Sequence, residues 1–335
     1  MIIYNNCKLY GLKTKRQLAK FLCKSSVSDI KKQDFFIAKI MPSVIDGKRL
    51  IEAPSNILKK MQKQILLDLK KLDIPDNIFS GIKGRSYIMN GSIHKGKYHF
   101  MKIDLSKFFP HIRRNIVYKF YKEKFNLPSD LAEILTNLST INIENINPLD
   151  LNKKQKENYN NVLEFMKNKN IMVKNHLITG SRISPILSYL VNEDMFEEIQ
   201  LKCKENNIKF SIYIDDMAFS SKNKITNAFA QSIFSIIEKH GYVINKEKTR
   251  IVDLNKRKKI TGVVINDKGE LKCTKKLEYK LKKYNNEFKR GNFENIKTLN
   301  GIIIAMHSIE PKKYDYLYRI ITKKYKELNK SNNQI

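Results

Sequence analysis

Phe210-Ser211-Ile212-Tyr213-Ile214-Asp215-Asp216-Met217-Ala218-Phe219 reads as two short strands of apolar and aromatic residues with a pair of carboxylates at the bend. A two-residue hairpin bend normally uses glycine, because it needs positive φ, and here there is none. Two adjacent carboxylates between buried strands repel each other and lose solvation, so a site that keeps both ionised calls for a cation. Mg²⁺ suits it, being a hard ion that takes oxygen ligands and leaves room for substrate phosphates. The same residues also admit a plainer reading, an exposed hairpin with an acidic tip.

A second acid lies far upstream. In Tyr98-His99-Phe100-Met101-Lys102-Ile103-Asp104-Leu105-Ser106-Lys107-Phe108-Phe109-Pro110, an apolar strand runs into Asp104 and then turns at Pro110 toward a helix. If this strand lies beside the hairpin, Asp104 completes a set of three carboxylates able to hold two metal ions. Taken alone, an Asp at a strand end is more often a helix N-cap.

The charge balance widens the picture. Lys and Arg number 64 against 33 Asp and Glu, a formal charge of +31. AT-rich codons explain some of the lysine but not the shortage of acids, so a polyanion such as RNA or DNA is the expected partner. No run of about 18 apolar residues is present, which argues against a membrane span. The start lacks the layout of a signal peptide, and four scattered cysteines without a C-x-x-C pair suit reduced thiols, so a cytoplasmic location is expected.

In chain order, two short helices in residues 12–40 lead into an extended piece beginning at Phe35. Asp46-Gly47 predicts a two-residue hairpin that puts Lys48 and Arg49 just past its tip. Cations there suit a triphosphate or a template backbone, and a solvated basic turn is the alternative. Ser55 caps a helix whose Ile57, Leu58, Met61, Ile65, Leu66 and Leu69 point to the core. Gly81 and Gly84, beside Lys83 and Arg85, let the backbone approach phosphates. Residues 142–174 turn rich in Asn, Lys and Glu and read as a mobile, partly helical surface insertion. A small-residue loop, Thr179-Gly180-Ser181-Arg182-Ile183-Ser184-Pro185, precedes a long helix reaching about Lys202 and can face a nucleotide with free N–H groups. A helix from Lys224 to His240 stops at Gly241. From Cys273 onward the pattern is helical and basic, a three-helix unit with Lys275 and Lys276 at its start, laid along nucleic acid or simply solvated.

Together these pieces resemble a reverse transcriptase over nearly the whole chain. Tyr213-Ile214-Asp215-Asp216 is similar to the family's Y-x-D-D motif, and Asp104 with Phe108-Phe109 to its upstream acidic motif. Gly180 with Ser184-Pro185 is similar to the Q-G-x-x-x-S-P loop, and Gly241 to Lys248 to the glycine-to-lysine motif that follows. The closest resemblance is to bacterial retron reverse transcriptases, through Asn90-Gly91-Ser92-Ile93-His94 for N-A-x-x-H and Ile260-Thr261-Gly262 for V-T-G. The departures are Gly91 for Ala, Ile260 for Val, Thr179 for Gln, and the insertion at 142–174.

The resemblance implies an α+β right-hand polymerase, with N-terminal fingers over 1–97, a ferredoxin-like palm over 98–268 and a helical thumb over 269–335. It implies two Mg²⁺ ions, with Mn²⁺ as a substitute, contacted by Asp104, Leu105, Asp215 and Asp216, the three aspartates being catalytic. Lys48, Arg49, Phe109, Thr179, Gly180 and Lys248 would face the deoxynucleoside triphosphate, Phe109 against a ribose 2′-hydroxyl and Lys248 toward pyrophosphate. Arg85, Asn90, His94, Thr261, Gly262, Lys275 and Lys276 would meet a structured non-coding RNA, although Asn90, His94, Thr261 and Gly262 serve equally well as packing residues. The expected product is single-stranded DNA linked to that RNA, in phage defence with an effector protein encoded nearby. Rival expectations are another prokaryotic reverse transcriptase of group II intron, diversity-generating or abortive-infection type, or an RNA-binding module that performs no synthesis.

Overall fold

Four antiparallel strands lie side by side in the order Lys209–Tyr213, Asp216–Ser221, His99–Asp104 and Arg250–Val252. Side chains alternate faces along each strand, so this sheet sorts its residues into two layers. Met101, Ile103, Met217 and Phe219 enter the main core with Phe229, Ile233 and Ile237 from the helix Asn227–Lys239. Phe100 and Ala218 enter a second core, shared with the C-terminal helices. Lys102, Asp104 and Asp216 are in phase with Phe100 and Ala218. The acidic residues are therefore on the face that carries the C-terminal unit.

The computed structural model describes residues 2–23, 26–31, 40–47, 49–79 and 81–332. Lys48 and the extended piece from Phe35 to Lys39 lie outside the described residues. Strands Ile40–Ile45 and Arg49–Pro54 pair antiparallel from Ile40 opposite Pro54 to Ile45 opposite Arg49, a hairpin at the place where the sequence predicts one. Asp46 and Gly47 both take positive φ there, at 51° and 60°. Ser55 caps the helix Asn56–Leu69 by accepting the Leu58 N–H at 3.3 Å. Leu58, Met61, Ile65 and Leu69 are buried, but Ile57, at the first turn, is 43 % exposed and does not join the core.

Residues 142–174 are partly helical, as expected, and carry more buried anchors than their composition suggests. A two-stranded ribbon, Thr140–Asn142 against Asn175–Leu177, closes its base. Its helix Lys153–Asn168 packs on strand Ile40–Ile45, with Ile143, Ile146, Tyr159, Val162, Met166 and Ile171 buried. Each such apolar side chain stabilises by roughly 1.5–3 kcal/mol relative to exposure, more than enough to hold the segment down. The composition misled because sparse anchors at helical spacing suffice when the polar residues between them face water.

The predicted long helix after Pro185 is two helices, Ser184–Leu190 and Glu193–Glu205. Asn192 stands at the break, donating to Ser188 O and accepting from Tyr242 Oη. At the C-terminus a three-stranded sheet (Lys258–Ile260, Val263–Ile265, Leu271–Lys272) leads to helices Lys275–Lys289, Ile296–Ile309 and Pro311–Asn332. Their core is continuous with the four-stranded sheet through Phe100 and Ala218, so the helical unit is not free-standing. Among the described residues, no helix is long and apolar enough to cross a membrane.

Candidate active site

The bend between strands Lys209–Tyr213 and Asp216–Ser221 is Ile214-Asp215, with Tyr213 paired to Asp216. Ile214 takes φ 62°, an uncommon conformation for a β-branched residue and the structural answer to the missing glycine. The bend is braced from both sides. Ile212 N–H donates to Asn77 O, and Phe79 N–H donates to Ile212 O at 2.8 Å. On the other side Leu105 N–H donates to Asp215 O at 3.2 Å.

Asp104 pairs with Asp216 across the strands. The flanking Leu105-to-Asp215 bond makes this a non-hydrogen-bonded pair, the kind in which side chains approach most closely. Asp104 ends a strand and caps no helix, since the short helix Phe108–His111 begins after Lys107. Burial, then the charges of Asp216 and Asp104, push the Asp215 carboxyl up to about 6. Burial likewise raises Asp216, against the opposing pull of Lys102.

Two lysines answer this negative charge. Lys248 Nζ lies 3.3 and 3.2 Å from the Asp104 carboxylate oxygens, and its side chain is 64 % exposed. Lys102 Nζ lies 2.8 Å from Asp216 Oδ1, a buried oxygen that receives no well-aligned hydrogen bond. Sequence reasoning missed Lys102, although its place two residues before Asp104 on one strand puts both on the same face. Among the described residues, no three acidic, histidine or cysteine side chains form a ready-made metal ligand set. The donor chemistry nevertheless fits a hard divalent cation. Three carboxylates meet at the ends of adjacent strands, burial and then the charges of the other two raise the Asp215 carboxyl, and the buried Asp216 Oδ1 has an ion-pair partner in Lys102 but no well-aligned hydrogen bond.

Around this centre, Phe109 is half-buried with its ring 6.1 Å from that of Phe108, and Leu105 is buried. Arg49 is exposed at the start of the second strand of the hairpin Ile40–Pro54. Gly180 is exposed at φ 115°, while Thr179 has its N–H and C=O both bonded to Glu52 and its Oγ1 buried without a partner. Gly81 packs directly against the end of this loop, where a Cβ on it would sit 2.9 Å from Pro185 Cβ.

The residues assigned to RNA divide differently from the expectation. Arg85 is a clamp: its guanidinium donates to the carbonyls of Ile74, Pro75 and Ile78 and pairs with Asp76. That leaves it no free fork for phosphate. Asn90 and His94 are buried in one directed chain. Ser211 Oγ–H donates to Asn90 Oδ1, so it must accept from His94 Nε2–H at 2.8 Å, leaving His94 Nδ1 to accept from Ser220. Asn90 Nδ2 donates to Thr261 Oγ1 at 3.1 Å, and that hydroxyl donates to Tyr87 O. Burial drives the His94 imidazole down to about 3, so it is neutral. Gly262, Lys275 and Lys276 are exposed.

Gly91 departs from the alanine of the related motif for a steric reason. A Cβ there would stand 2.4 Å from Val263 Cγ2.

A family model described as reverse transcriptase (RNA-dependent DNA polymerase) matches residues 30–284. Retron Ec83 reverse transcriptase of Escherichia coli is 26 % identical over 279 residues, covering 81 % of this chain and 82 % of that protein. Retron Ec86 reverse transcriptase of Escherichia coli is 25 % identical over 286 residues, covering 84 % and 78 %. Among solved structures, a telomerase from Candida albicans covers 82 % of this chain and 55 % of its own at 14 % identity, with a TM-score of 0.39.

Proposed function

The chain belongs to the reverse transcriptase family and is an RNA-directed DNA polymerase with the right-hand fold; on that premise we propose that it is a retron enzyme that copies its own structured RNA into RNA-linked DNA. The observation that carries the catalytic part is the set of three carboxylates, with Asp104 opposite Asp216 and Asp215 at the bend. The retron part is supported by two relatives that this chain matches over most of both lengths.

Asp104, Asp215 and Asp216, with the Leu105 backbone, would hold two Mg²⁺ ions or Mn²⁺ in their place. Such ions, when bound, lower the pKa of the primer hydroxyl and neutralise the triphosphate. Lys102 holds Asp216 in position. Lys248, mostly exposed and paired with Asp104, is the cation free to turn toward departing pyrophosphate. Arg49, with Lys48, would take the triphosphate from the finger side, and Gly180 would offer open backbone on the other. Phe109 would close the sugar pocket and disfavour a ribose 2′-hydroxyl.

RNA contact falls to Gly262, Lys275 and Lys276. Asn90, His94 and Thr261 would act from beneath by holding the Thr261-Gly262 turn against the palm, at Thr261 φ 38° and Gly262 φ 100°. DNA synthesis would start from a 2′-hydroxyl of the RNA, in the cytoplasm, and serve phage defence through a separate effector protein.

The test is to isolate nucleic acid from the protein expressed with its native flanking DNA and treat it separately with ribonuclease and deoxyribonuclease. A discrete DNA species that shifts after ribonuclease, and is missing from the Asp215→Asn/Asp216→Asn variant, supports the proposal. Bound RNA without DNA, unchanged in that variant, would make the protein an RNA-binding module instead.

A further inference from the structure

We propose that Glu52 is a positioning residue for the incoming nucleotide, its buried carboxylate locking the finger strand that carries Arg49 to the Thr179–Gly180 loop. The inference rests on the reading of Arg49 and that loop as two sides of the nucleotide site.

Glu52 is on the inward face of its strand. Leu50, Glu52 and Pro54 are buried while Arg49 and Ala53 are exposed, which places a carboxylate where an apolar side chain would be expected. It is fully buried and spends both carboxylate oxygens on one distant segment, at His176 and Thr179. Oε2 accepts the Thr179 N–H at 2.7 Å, and Oε1 lies 2.9 Å from His176 Nε2. His176 is equally buried, and its Nδ1 faces Val173 O at 2.9 Å, so both ring nitrogens meet oxygen acceptors and the ring is pinned. The Glu52 N–H completes the clamp by donating to Thr179 O at 2.6 Å.

The effect is confined to one part of the loop. Ser181 is held separately by Gln62 at 2.8 Å, and Ser184 by Ile178 O at 2.6 Å. Gly180 sits directly on the finger strand, where a Cβ would meet Ile51 Cγ2 at 3.2 Å and Glu52 O at 3.3 Å. Packed apolar residues often stabilise as well as a buried acid and histidine do. What the pair adds is direction. Its hydrogen bonds fix the register between strand and loop, and Arg49 lies three residues from Glu52 on the same strand.

The test is steady-state nucleotide incorporation on a primed RNA template with Mg²⁺, comparing wild type with Glu52→Ala, Glu52→Asp and Glu52→Gln. Glutamine can accept from Thr179 N–H through its oxygen and donate through its amide to the His176 ring nitrogen, so it preserves the clamp. Glu52→Ala is expected to raise the nucleotide KM about tenfold or more, with kcat within about threefold, while Glu52→Gln stays within about threefold of wild type. Glu52→Asp, with its carboxylate withdrawn by one methylene, is expected to fall between them, and it carries the test if the alanine variant does not fold. An unchanged KM in the folded variants, or a loss of kcat alone that glutamine fails to rescue, would overturn the proposal. Arg49→Ala separates the underlying reading: if it leaves the nucleotide KM unchanged, the nucleotide site itself is misplaced, whatever Glu52 does.

Discussion

Asp104 and Asp216 stand directly opposite one another on adjacent antiparallel strands, each held by its own lysine, Lys248 and Lys102. With Asp215 at the bend, this arrangement concentrates three negative charges at one edge of a buried sheet. The lysines offset two of them, and the third raises the affinity of the site for a cation.

Asp215 carries the cost. Its folded pKa of about 6 exceeds the ordinary carboxylate value, so between those values the folded state binds more protons than the unfolded state. Stability from this group therefore falls as pH rises through the window. Without divalent ions, Asp215→Asn is expected to stabilise the protein by about 1–3 kcal/mol at neutral pH and to give little change near pH 4. Adding Mg²⁺ should raise the melting temperature of wild type and leave the variant nearly unmoved. Thermal unfolding with and without the ion checks both statements; a variant less stable than wild type in chelator would contradict them.

His94 predicts an acid limb. A neutral imidazole with a folded pKa of about 3 is more basic when unfolded, so stability is intact above about pH 6.5 and is lost as pH falls toward the folded value. In denaturant titrations, wild type should lose about 1.4 kcal/mol per pH unit below that point in excess of a His94→Asn variant. Parallel profiles would show that His94 does not set the limb.

At Gly91, alanine should be destabilising by about 1–3 kcal/mol through overpacking against Val263. Val263→Ala should restore most of the loss in the double variant. A double-mutant cycle that closes additively would rule out the contact as the cause.

How much of this was legible from the chain follows from how local each signal is. The strands at 99–104 and 209–221 and the positions of their acids declare themselves by alternation and by where it stops. Glu52 and His176 do not. Each looks like a surface residue until partners 124 residues apart are brought together. Only the phase of Leu50, Glu52 and Pro54 hinted that the acid points inward. Asn90 and His94 were likewise ambiguous, because the hydroxyls that satisfy them, on Ser211, Ser220 and Thr261, lie 117 to 171 residues away. Arg85 was read as a phosphate contact from its glycine-rich setting, yet the carbonyls that claim it are only seven to eleven residues upstream. Their convergence depends on the turn around Pro75, which charge patterning does not encode.

Phe109 bears on sugar choice. If its ring walls the sugar pocket, Phe109→Ala should raise ribonucleotide use relative to deoxynucleotide use by about tenfold or more. Competing kcat/KM values for the two sugars measure this; an unchanged ratio would place the ring elsewhere.

The most direct measurement is primer extension on an RNA template by the purified protein with Mg²⁺ and deoxynucleotides, run beside Asp215→Asn and paired with RNA affinity for both. The account predicts extension by wild type, a loss of about a thousandfold or more in the variant, and RNA affinity within about threefold. Extension that survives Asp215→Asn, or wild type that binds RNA but extends nothing, would contradict the three-aspartate site as the seat of synthesis.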